Sequence, residues 1–329
     1  MGVSTKDIAA VCGVSRGTVD RALNNRGSIN PVTRQKILEA AGSLDYKPHY
    51  IASSLAKGKT MTIGIIVFDL NNRFFTQFIN SLESRANELG YFIYLTLTDK
   101  RVEKEAQCIE QLVSRHVDGI VLCSVNGDNS YPQYLSNLNV PIVTITNKVS
   151  DKLSFLGIDD RKAMKDAVKF IINRNYENIV YISPVLSMRG QRNIYAQEQR
   201  CSGYLEAMNE AGSNFEPNII QSYNYTKIIS SMKFDKKHRT AILCSSDIHA
   251  LEVMNTLKDL GIKAPEDVGL MGFDNIDTLD YVFPGLTTVA YPTNLIGVEA
   301  INQLVSKIEG KELTEDIFFH HKIIMRETI

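Results

Sequence analysis

Residues 6–23 read KDIAAVCGVSRGTVDRAL, and this stretch predicts two short helices joined by a tight turn. Ser4 and Asp7 have the spacing of a capping box, which sets the start of the first helix. Gly13 stands at the turn, where a left-handed backbone carries no steric penalty for glycine. Ser15 is a natural N-cap for the second helix.

Apolar positions form one side of each helix and leave a polar side outward. The inward positions are Ile8, Ala9, Val11, Val19, Ala22 and Leu23. The outward positions of the second helix hold Arg16, Gly17, Asp20 and Arg21. This is the layout of a helix-turn-helix, whose second helix places its first residues against base edges in the major groove of DNA. Taken alone, the stretch is also compatible with a small helical hairpin that has a solvated, charged face and no role in DNA binding.

A third helix and a connecting segment follow. Asn30-Pro31 combines an N-cap with proline at the first helical position, and Lys47-Pro48 ends the helix. Its apolar positions are Ile37, Leu38, Ala41 and Leu44. Residues 49–60 then have too few apolar side chains to fold alone. They form either a plain linker or a hinge that becomes helical on DNA and inserts Leu55 into the minor groove as an apolar wedge.

Charge is divided unevenly along the 329 residues. Residues 1–60 hold nine Lys and Arg against four Asp and Glu, while the remainder holds 27 against 33. The basic first segment precedes an acidic body, which predicts that the first segment binds a polyanion.

The sequence shows no apolar run long enough to span a bilayer and no signal peptide, which predicts a cytoplasmic protein. The five scattered cysteines form no metal-ligand spacing, so we expect reduced thiols in the core.

From Met61 onward, apolar strands alternate with helices, for example a helix at Tyr195–Ala211. Such alternation predicts parallel sheets covered on both faces. We expect two successive series, the second beginning with a strand at Phe155–Ile158, and a last strand within Phe318–Met325. The fold class is therefore α/β, with an all-α head (1–48), a hinge (49–60) and two doubly wound lobes (61–329). Ligands in such sheets bind beyond the carboxyl ends of the strands, so a cleft between the lobes is the expected site.

Two blocks carry a resemblance to a known family. The first is KDIAAVCGVSRGTVDRALN followed by NPVTRQKILEAAGSLDYKPHYIASSL, and the second is APEDVGLMGFDN followed by PGLTTVAYPTNLIGVEAINQL. They resemble the DNA-binding and effector regions of the lactose-repressor (LacI) family, whose effector domain shares the fold of periplasmic sugar-binding proteins. The resemblance implies a homodimeric transcriptional regulator, typically a repressor, which binds double-stranded operator DNA under the allosteric control of a small metabolite.

The resemblance implies a set of DNA-contacting residues. Arg16, Gly17 and Arg21 fall on the positions that read bases, while Thr18 and Asn24 fit positions that contact phosphate. Leu55 matches the hinge residue. Asp20 stands where the family usually has serine, which leaves two roles open: pairing with Arg16 one turn earlier, or accepting from a cytosine amino group.

Two groups of residues are candidates for contacting an effector in the cleft. By resemblance, Asp274 matches the ligand-binding acid of the family, Arg200 a ligand-contacting arginine, and Asn72, Phe74 and Phe75 its polar and aromatic contacts. By position just past strand ends, Ser124, Asn126, Asn147 and Asp247 can also reach a ligand. For each residue a turn or capping role is the alternative. The family suggests a neutral sugar, and Arg189 and Arg192 keep an anionic derivative such as a sugar phosphate open.

Other functions have less support. The sequence contains no GxGxxG, GxxxxGK[ST], GxSxG or HExxH motif, so we expect neither an enzyme nor a cofactor. His320 and His321 are adjacent on an expected strand and face opposite sides, which argues against a shared metal. A small-molecule binding protein with a degenerate DNA-binding head remains the alternative, because Gly17 and Asp20 depart from the residues typical of a helix that reads DNA bases.

For the homodimer, the helix that carries Gln77, Asn80 and Ser84 offers a candidate subunit surface.

Overall fold

A computed structural model describes residues 3–23, 26–46, 59–186, 192–212, 215–235, 237–311 and 315–329. Asn24, Leu55 and Arg189 lie outside these ranges. The chain divides into two compact units, Met1–Thr60 and Met61–Ile329, which we call the head and the body. Among the described residues, no helix combines the length and the apolar character that crossing a membrane requires.

The head contains three helices, α1 (Thr5–Cys12), α2 (Arg16–Leu23) and α3 (Pro31–Ser43). Their ends confirm the predicted caps. The backbone N of Ser4 donates to Oδ2 of Asp7 at 2.8 Å, and that of Thr18 donates to Oγ of Ser15 at 3.2 Å. Gly13 ends α1 with φ of +68°.

Two residues that we predicted for the head core are exposed instead. Val11 is 61% exposed and Leu38 is 42% exposed, and these predictions were wrong. Cys12 and Ala40 take their places beside the fully buried Ile37. The reason is helical geometry, because each residue turns by about 100°, which places Leu38 a quarter turn or more from Ile37.

The body consists of two sheets with helices on their faces. Its strands are β1 (Thr62–Val67), β2 (Phe92–Leu97), β3 (Gly119–Leu122), β4 (Ile142–Ile145), β5 (Phe155–Ile158), β6 (Asn178–Ser183), β7 (Asn218–Gln221), β8 (Thr240–Cys244), β9 (Gly269–Asp274), β10 (Thr287–Ala290), β11 (Ile317–Phe319) and β12 (Lys322–Ile324). Its helices are α4 (Arg73–Glu88), α5 (Val102–Ser114), α6 (Tyr131–Ser136), α7 (Asp160–Ile172), α8 (Tyr195–Ala211), α9 (Tyr225–Ser231), α10 (Asp247–Asp259) and α11 (Thr293–Ile308), with a 3-10 turn at Asp277–Tyr281.

The first lobe has the strand order β11-β5-β4-β3-β1-β2, and the second has β12-β10-β9-β8-β6-β7. Neighbouring strands are parallel except for β12, which runs antiparallel to β10. The two doubly wound lobes are therefore confirmed. The assignment of β5 was wrong, because its residues pair with β4 and β11 in the first lobe.

The chain passes between the lobes three times, after β5, after β10 and between β11 and β12. The single strand expected within 318–325 is thus two strands in different sheets. His320 and His321 lie in the link between them rather than on a strand. All five cysteines are free and buried, as expected of core thiols.

Candidate DNA-binding helix and effector cavity

Helix α2 presents a polar surface on the head. Arg16, Gly17, Asp20 and Arg21 are exposed, and Thr18 is half-buried. Both arginines are held at Nε: Arg16 donates to the hydroxyl Oγ1 of Thr5 at 3.1 Å, and Arg21 donates to the carbonyl of Gly17 at 3.2 Å. The outward placement agrees with the sequence analysis, while the DNA contacts of these residues stay predictions.

A cavity of about 580 Å³ lies in the body where the carboxyl ends of both sheets meet. Its volume falls within the range of ligand pockets, roughly 300–1,000 Å³. Loops after β1, β2, β3 and β4 line it from the first lobe, and loops after β6, β7, β8 and β9 line it from the second. Six of the nine predicted effector residues contribute to the wall: Asn72, Phe74, Phe75, Asn147, Arg200 and Asp274.

The other three predicted effector residues do not line the cavity, and we correct that expectation. Ser124 is fully buried and donates to Oε1 of Glu105 at 2.8 Å. Asn126 accepts from the backbone N of Asp128 at 2.9 Å in a local turn. Each side chain is thus turned to a structural partner within the same lobe.

Asp247 is the third of these residues, and it is fully buried in the second lobe. Its Oδ1 accepts from the hydroxyl of Thr288 at 2.6 Å, and its Oδ2 accepts from the backbone N of Ile276 at 2.9 Å. A Cβ on Gly272 would approach Oδ1 to 2.2 Å, so any side chain at residue 272 would displace this carboxylate. Burial raises the pKa of Asp247 to about 7, against the lowering effect of these hydrogen bonds.

Arg200 is buried and joins three elements of the second lobe. Nε donates to Oδ1 of Asp160 at 2.7 Å, and Nη1 donates to the carbonyl of Ser245 at 2.6 Å. Nη1 also lies 3.4 Å from Oδ1 of Asp274, and the guanidinium stacks on the ring of Phe273 at 3.7 Å. Arg200 therefore holds Asp274 at the cavity wall while its own charge is neutralised by carboxylates.

The carboxyl groups around Arg200 are perturbed by their burial. Burial raises the pKa of Asp274 well above its usual range, and the positive charge of Arg200 opposes this rise. Burial likewise raises the pKa of Asp160 against the same opposing charge. For Arg200 burial lowers the pKa, but the two carboxylates outweigh it and the net pKa is raised. The cluster thus balances charge in a site of low dielectric.

Asn147 joins the lobes as well as lining the cavity. Its Nδ2 donates to the carbonyl of Ser124 at 3.0 Å and to that of Asn193 at 3.1 Å, while Oδ1 accepts from the backbone N of Ala196 at 3.2 Å. The backbone N of Asn193 also donates to the carbonyl of Val125 at 2.8 Å. Because both Nδ2 protons are used, Asn147 acts mainly as a clamp between the lobes.

A second contact between the lobes involves α4. Arg73 forms an ion pair with Asp277, with Nε donating to Oδ1 at 2.9 Å. Oε1 of Gln77 accepts from the backbone N of Asp277 at 3.0 Å. Gln77 therefore serves a contact within the chain, whereas Asn80 and Ser84 on the same helix are exposed.

Three residues that line the cavity each carry a buried polar atom that has no hydrogen-bond partner in the part of the chain that the structure describes. The atoms are the hydroxyls of Tyr225 and Tyr291 and Oε1 of Gln197. Buried polar atoms in native proteins are nearly always satisfied, so these three side chains have hydrogen-bonding capacity that the described residues do not use. None of these three residues was predicted from the sequence, although Tyr225 follows the end of β7 and Tyr291 follows the end of β10.

Three residues that line the cavity have strained backbone. They are Lys100, Thr146 and Asp274, with φ of +59°, +60° and +116°. Left-handed backbone is costly for residues other than glycine, and most of all for a β-branched residue such as Thr146. Such strain typically accompanies functional sites. In the described ranges, no group of three or more His, Cys, Asp or Glu side chains is placed to hold a metal ion.

A helix-turn-helix head attached to a two-lobed body with a cavity between the lobes defines a ligand-responsive DNA-binding protein. Two family models match: bacterial regulatory proteins of the lacI family over residues 4–49, and the periplasmic binding protein-like domain over residues 168–329. The chain is 30% identical to the HTH-type transcriptional regulator RegA of Clostridium saccharobutylicum, covering 100% of this chain and 99% of the relative. It therefore belongs to the LacI family of DNA-binding transcriptional regulators.

Further relatives agree. The HTH-type transcriptional repressor PurR of Vibrio cholerae is 31% identical over 98% of this chain and 97% of its own. The Lac repressor dimer bound to operator and the anti-inducer ONPF matches with a TM-score of 0.85 at 20% identity, over 100% and 99% of the two chains. A periplasmic binding protein/LacI transcriptional regulator from Alkaliphilus metalliredigens, complexed with D-xylulofuranose, matches with a TM-score of 0.70 at 27% identity, over 82% and 98%. These relatives are named as transcriptional regulators. They therefore do not favour the alternative of a small-molecule binding protein with a degenerate DNA-binding head.

Proposed function

We propose that an uncharged sugar or related polyhydroxyl compound controls operator binding by this regulator. The observation that carries the proposal is a cavity of about 580 Å³ whose wall combines aromatic rings with polar side chains, of which Tyr225, Tyr291 and Gln197 carry polar atoms without a partner among the described residues. Gln197 Oε1 requires a donor, and a phenol hydroxyl both donates and accepts. Hydroxyl groups on a ligand supply both roles, so a compound rich in hydroxyls matches the hydrogen-bonding capacity of these side chains.

The charges on the wall favour a neutral ligand over a sugar phosphate. The described wall residues include three cations, Lys100, Arg192 and Arg200, and three acids, Asp69, Glu252 and Asp274. Lys100 lies 3.2 Å from Asp69, and Arg200 is paired with Asp160. An anionic group at Lys100 or Arg200 would therefore have to displace an existing partner, at a cost in desolvation, which leaves Arg192 as the wall cation with no ion pair among the described residues.

Aromatic side chains on the wall suit the apolar face of a sugar ring. The rings of Phe74 and Tyr291 meet edge to face, with centroids 5.0 Å apart, and Phe75 packs against Phe74 at 5.2 Å. Such rings combine with polar neighbours to orient an amphipathic ligand. The D-xylulofuranose in the relative from Alkaliphilus metalliredigens supports the same ligand class.

We further propose a homodimer that places two heads on the half-sites of an operator, about one helical turn apart. Arg16 and Arg21 then read base edges, Thr18 and Asn24 contact phosphate, and Gly17 admits a close approach of the DNA. Residues 49–60 act as the hinge that inserts Leu55 into the minor groove. The protein acts on the chromosome in the cytoplasm, and we assign it no catalytic step.

Thermal unfolding of the full-length protein with matched sugars tests the effector proposal. Each neutral monosaccharide or disaccharide is paired with its phosphate and its aldonic acid. A rise in Tm with an uncharged member, larger than with its charged partners, is the expected result. Tighter binding of the phosphate than of the parent sugar would overturn the assignment of a neutral ligand.

A further inference from the structure

Both arginines of α2 are exposed, and each is nevertheless held by a hydrogen bond within the head. Each uses its Nε proton within the head, Arg16 on the hydroxyl of Thr5 and Arg21 on the carbonyl of Gly17. A guanidinium has five N–H donors, one on Nε and four on the two terminal nitrogens. With Nε engaged, the Nη1 and Nη2 groups of each exposed arginine are the donors left for another partner.

Such a pair fits one base edge better than any other. Guanine presents two adjacent acceptors, O6 and N7, in the major groove, and arginine contacts both at once. Adenine and cytosine place an amino donor there, which opposes a guanidinium. Anchoring at Nε also limits the motion of a side chain that is otherwise costly to order. The head is thus built to present guanine-reading groups in one fixed orientation.

Gly17 contributes to this arrangement. Among the described residues, a Cβ at this helical position would have only Oγ of Ser15 within 4 Å, at 3.9 Å, so the packing of these residues does not require glycine. Glycine inside a helix is destabilising relative to alanine. Because side chains lean toward the N-terminus of a helix, Arg21 lies over residue 17, where the missing side chain leaves its path to the carbonyl clear.

Given that Arg16 and Arg21 each read a guanine in a half-site, we propose that Thr5 is a positioning residue, which holds Arg16 at Nε so that its terminal nitrogens face the base edge. The inference rests on the DNA-binding function of the chain. Thr5 belongs to α1 and acts through Arg16 rather than through a base. It therefore determines how strictly one of the two guanines is required.

The test begins with selection of duplexes from a randomised DNA library by the full-length protein. We expect two constant G·C pairs in each half-site. In the enriched duplex, replacing each of these guanines by 7-deazaguanine removes N7 and lowers affinity roughly tenfold. Replacement by inosine, which keeps O6 and N7, leaves affinity nearly unchanged.

Variants at Thr5 then separate positioning from folding. Thr5→Val keeps the shape but removes the hydroxyl, and it should reduce the preference for guanine at one position about fivefold. The preference at the other guanine and the affinity for random DNA should stay the same, and Thr5→Ser should restore the first preference. Thermal unfolding of each variant reports whether the head remains folded.

Three results would overturn the inference. Selected half-sites without two constant guanines would show that the terminal nitrogens read something else, although specific DNA binding would stand. An equal loss on specific and random DNA with Thr5→Val would assign Thr5 a purely structural role. An unchanged preference in Thr5→Val would exclude positioning by its hydroxyl.

Discussion

Nε of Arg200 donates to Oδ1 of Asp160 at 2.7 Å, and both side chains are almost completely buried. The pair joins α8 to the first residue of α7, immediately after the chain passes from the first lobe to the second. It also holds Arg200 beside Asp274, which lines the cavity. One buried ion pair therefore supports both the second lobe and the wall of the ligand site.

Loss of this pair should destabilise the body strongly. Asp160→Asn leaves the guanidinium of Arg200 buried with less compensation, and we expect the free energy of unfolding to fall by about 3–5 kcal/mol. Glu206→Gln is a matched control, because Arg161 and Glu206 join the same two helices at the surface at 3.0 Å. That change should cost less than about 1 kcal/mol. Chemical denaturation compares them, and equal losses would contradict the role of the buried pair.

The unsatisfied hydroxyl of Tyr225 gives a second prediction. Tyr225→Phe removes an atom without a partner among the described residues, so it should leave the stability of the free protein unchanged or slightly raised. The same change should weaken sugar binding about five- to tenfold. Calorimetric titration and thermal unfolding measure the two effects.

Tyr204 provides the control for that experiment. Its hydroxyl donates to the carbonyl of Ile179 at 2.8 Å and accepts from the backbone N of Asn218 at 2.8 Å. Tyr204→Phe should therefore lower the free energy of unfolding by about 1–3 kcal/mol without a direct effect on the cavity. A destabilised Tyr225→Phe with unchanged sugar affinity would remove Tyr225 from the site.

The raised pKa of Asp247 predicts a pH dependence of stability. Burial raises this pKa to about 7, so between about pH 4 and 7 the folded protein binds a proton that the unfolded chain releases. The contribution of Asp247 to stability is thus lost as pH rises through this window. Compared with wild type, Asp247→Asn should become relatively more stable from pH 5 to pH 8, as measured by urea denaturation at each pH.

His249 should behave in the opposite way. Burial lowers its pKa to about 4, so between about pH 4 and 6.5 the unfolded chain binds a proton that the folded protein excludes. The contribution of His249 is present above pH 6.5 and lost as pH falls. Compared with wild type, His249→Gln should become relatively less stable as pH rises from 4 to 6.5. The same sign for both variants would contradict these environments.

The clamp at Asn147 gives a prediction about lobe closure. Asn147→Asp replaces two donors by an acceptor that faces the carbonyls of Ser124 and Asn193, and this repulsion should favour separated lobes. We expect a larger radius of gyration of the body by small-angle scattering and a lower affinity for sugar. Asn80→Asp, an exposed change on α4, should leave both values unchanged. Identical scattering for the two variants would exclude Asn147 as a clamp.

Local patterns allowed much of the fold to be predicted. Helix α8 occupies Tyr195–Ala211, the range expected from its periodicity, and the caps at Ser4 and Ser15 are as expected. Strand pairing was harder, because a fully buried strand such as β5 has the same apolar pattern in either lobe. Its place is decided by contacts between residues far apart in sequence.

The site was predicted in part for a related reason. A position after a strand end brought Asn147 to the cavity but not Ser124 or Asp247, since sequence does not show which way a side chain turns. Glu105 takes the hydroxyl of Ser124, and Thr288 donates to Asp247. Both partners come from other elements of the chain, so only the folded structure reveals them.

The most direct test of coupling between the cavity and the head is a reciprocal titration of the full-length protein. Operator affinity is measured with and without a saturating uncharged sugar selected by the thermal screen, and sugar affinity is measured with and without operator. Linkage predicts that both affinities change by the same factor. An operator affinity that is identical with and without the bound sugar would contradict the account.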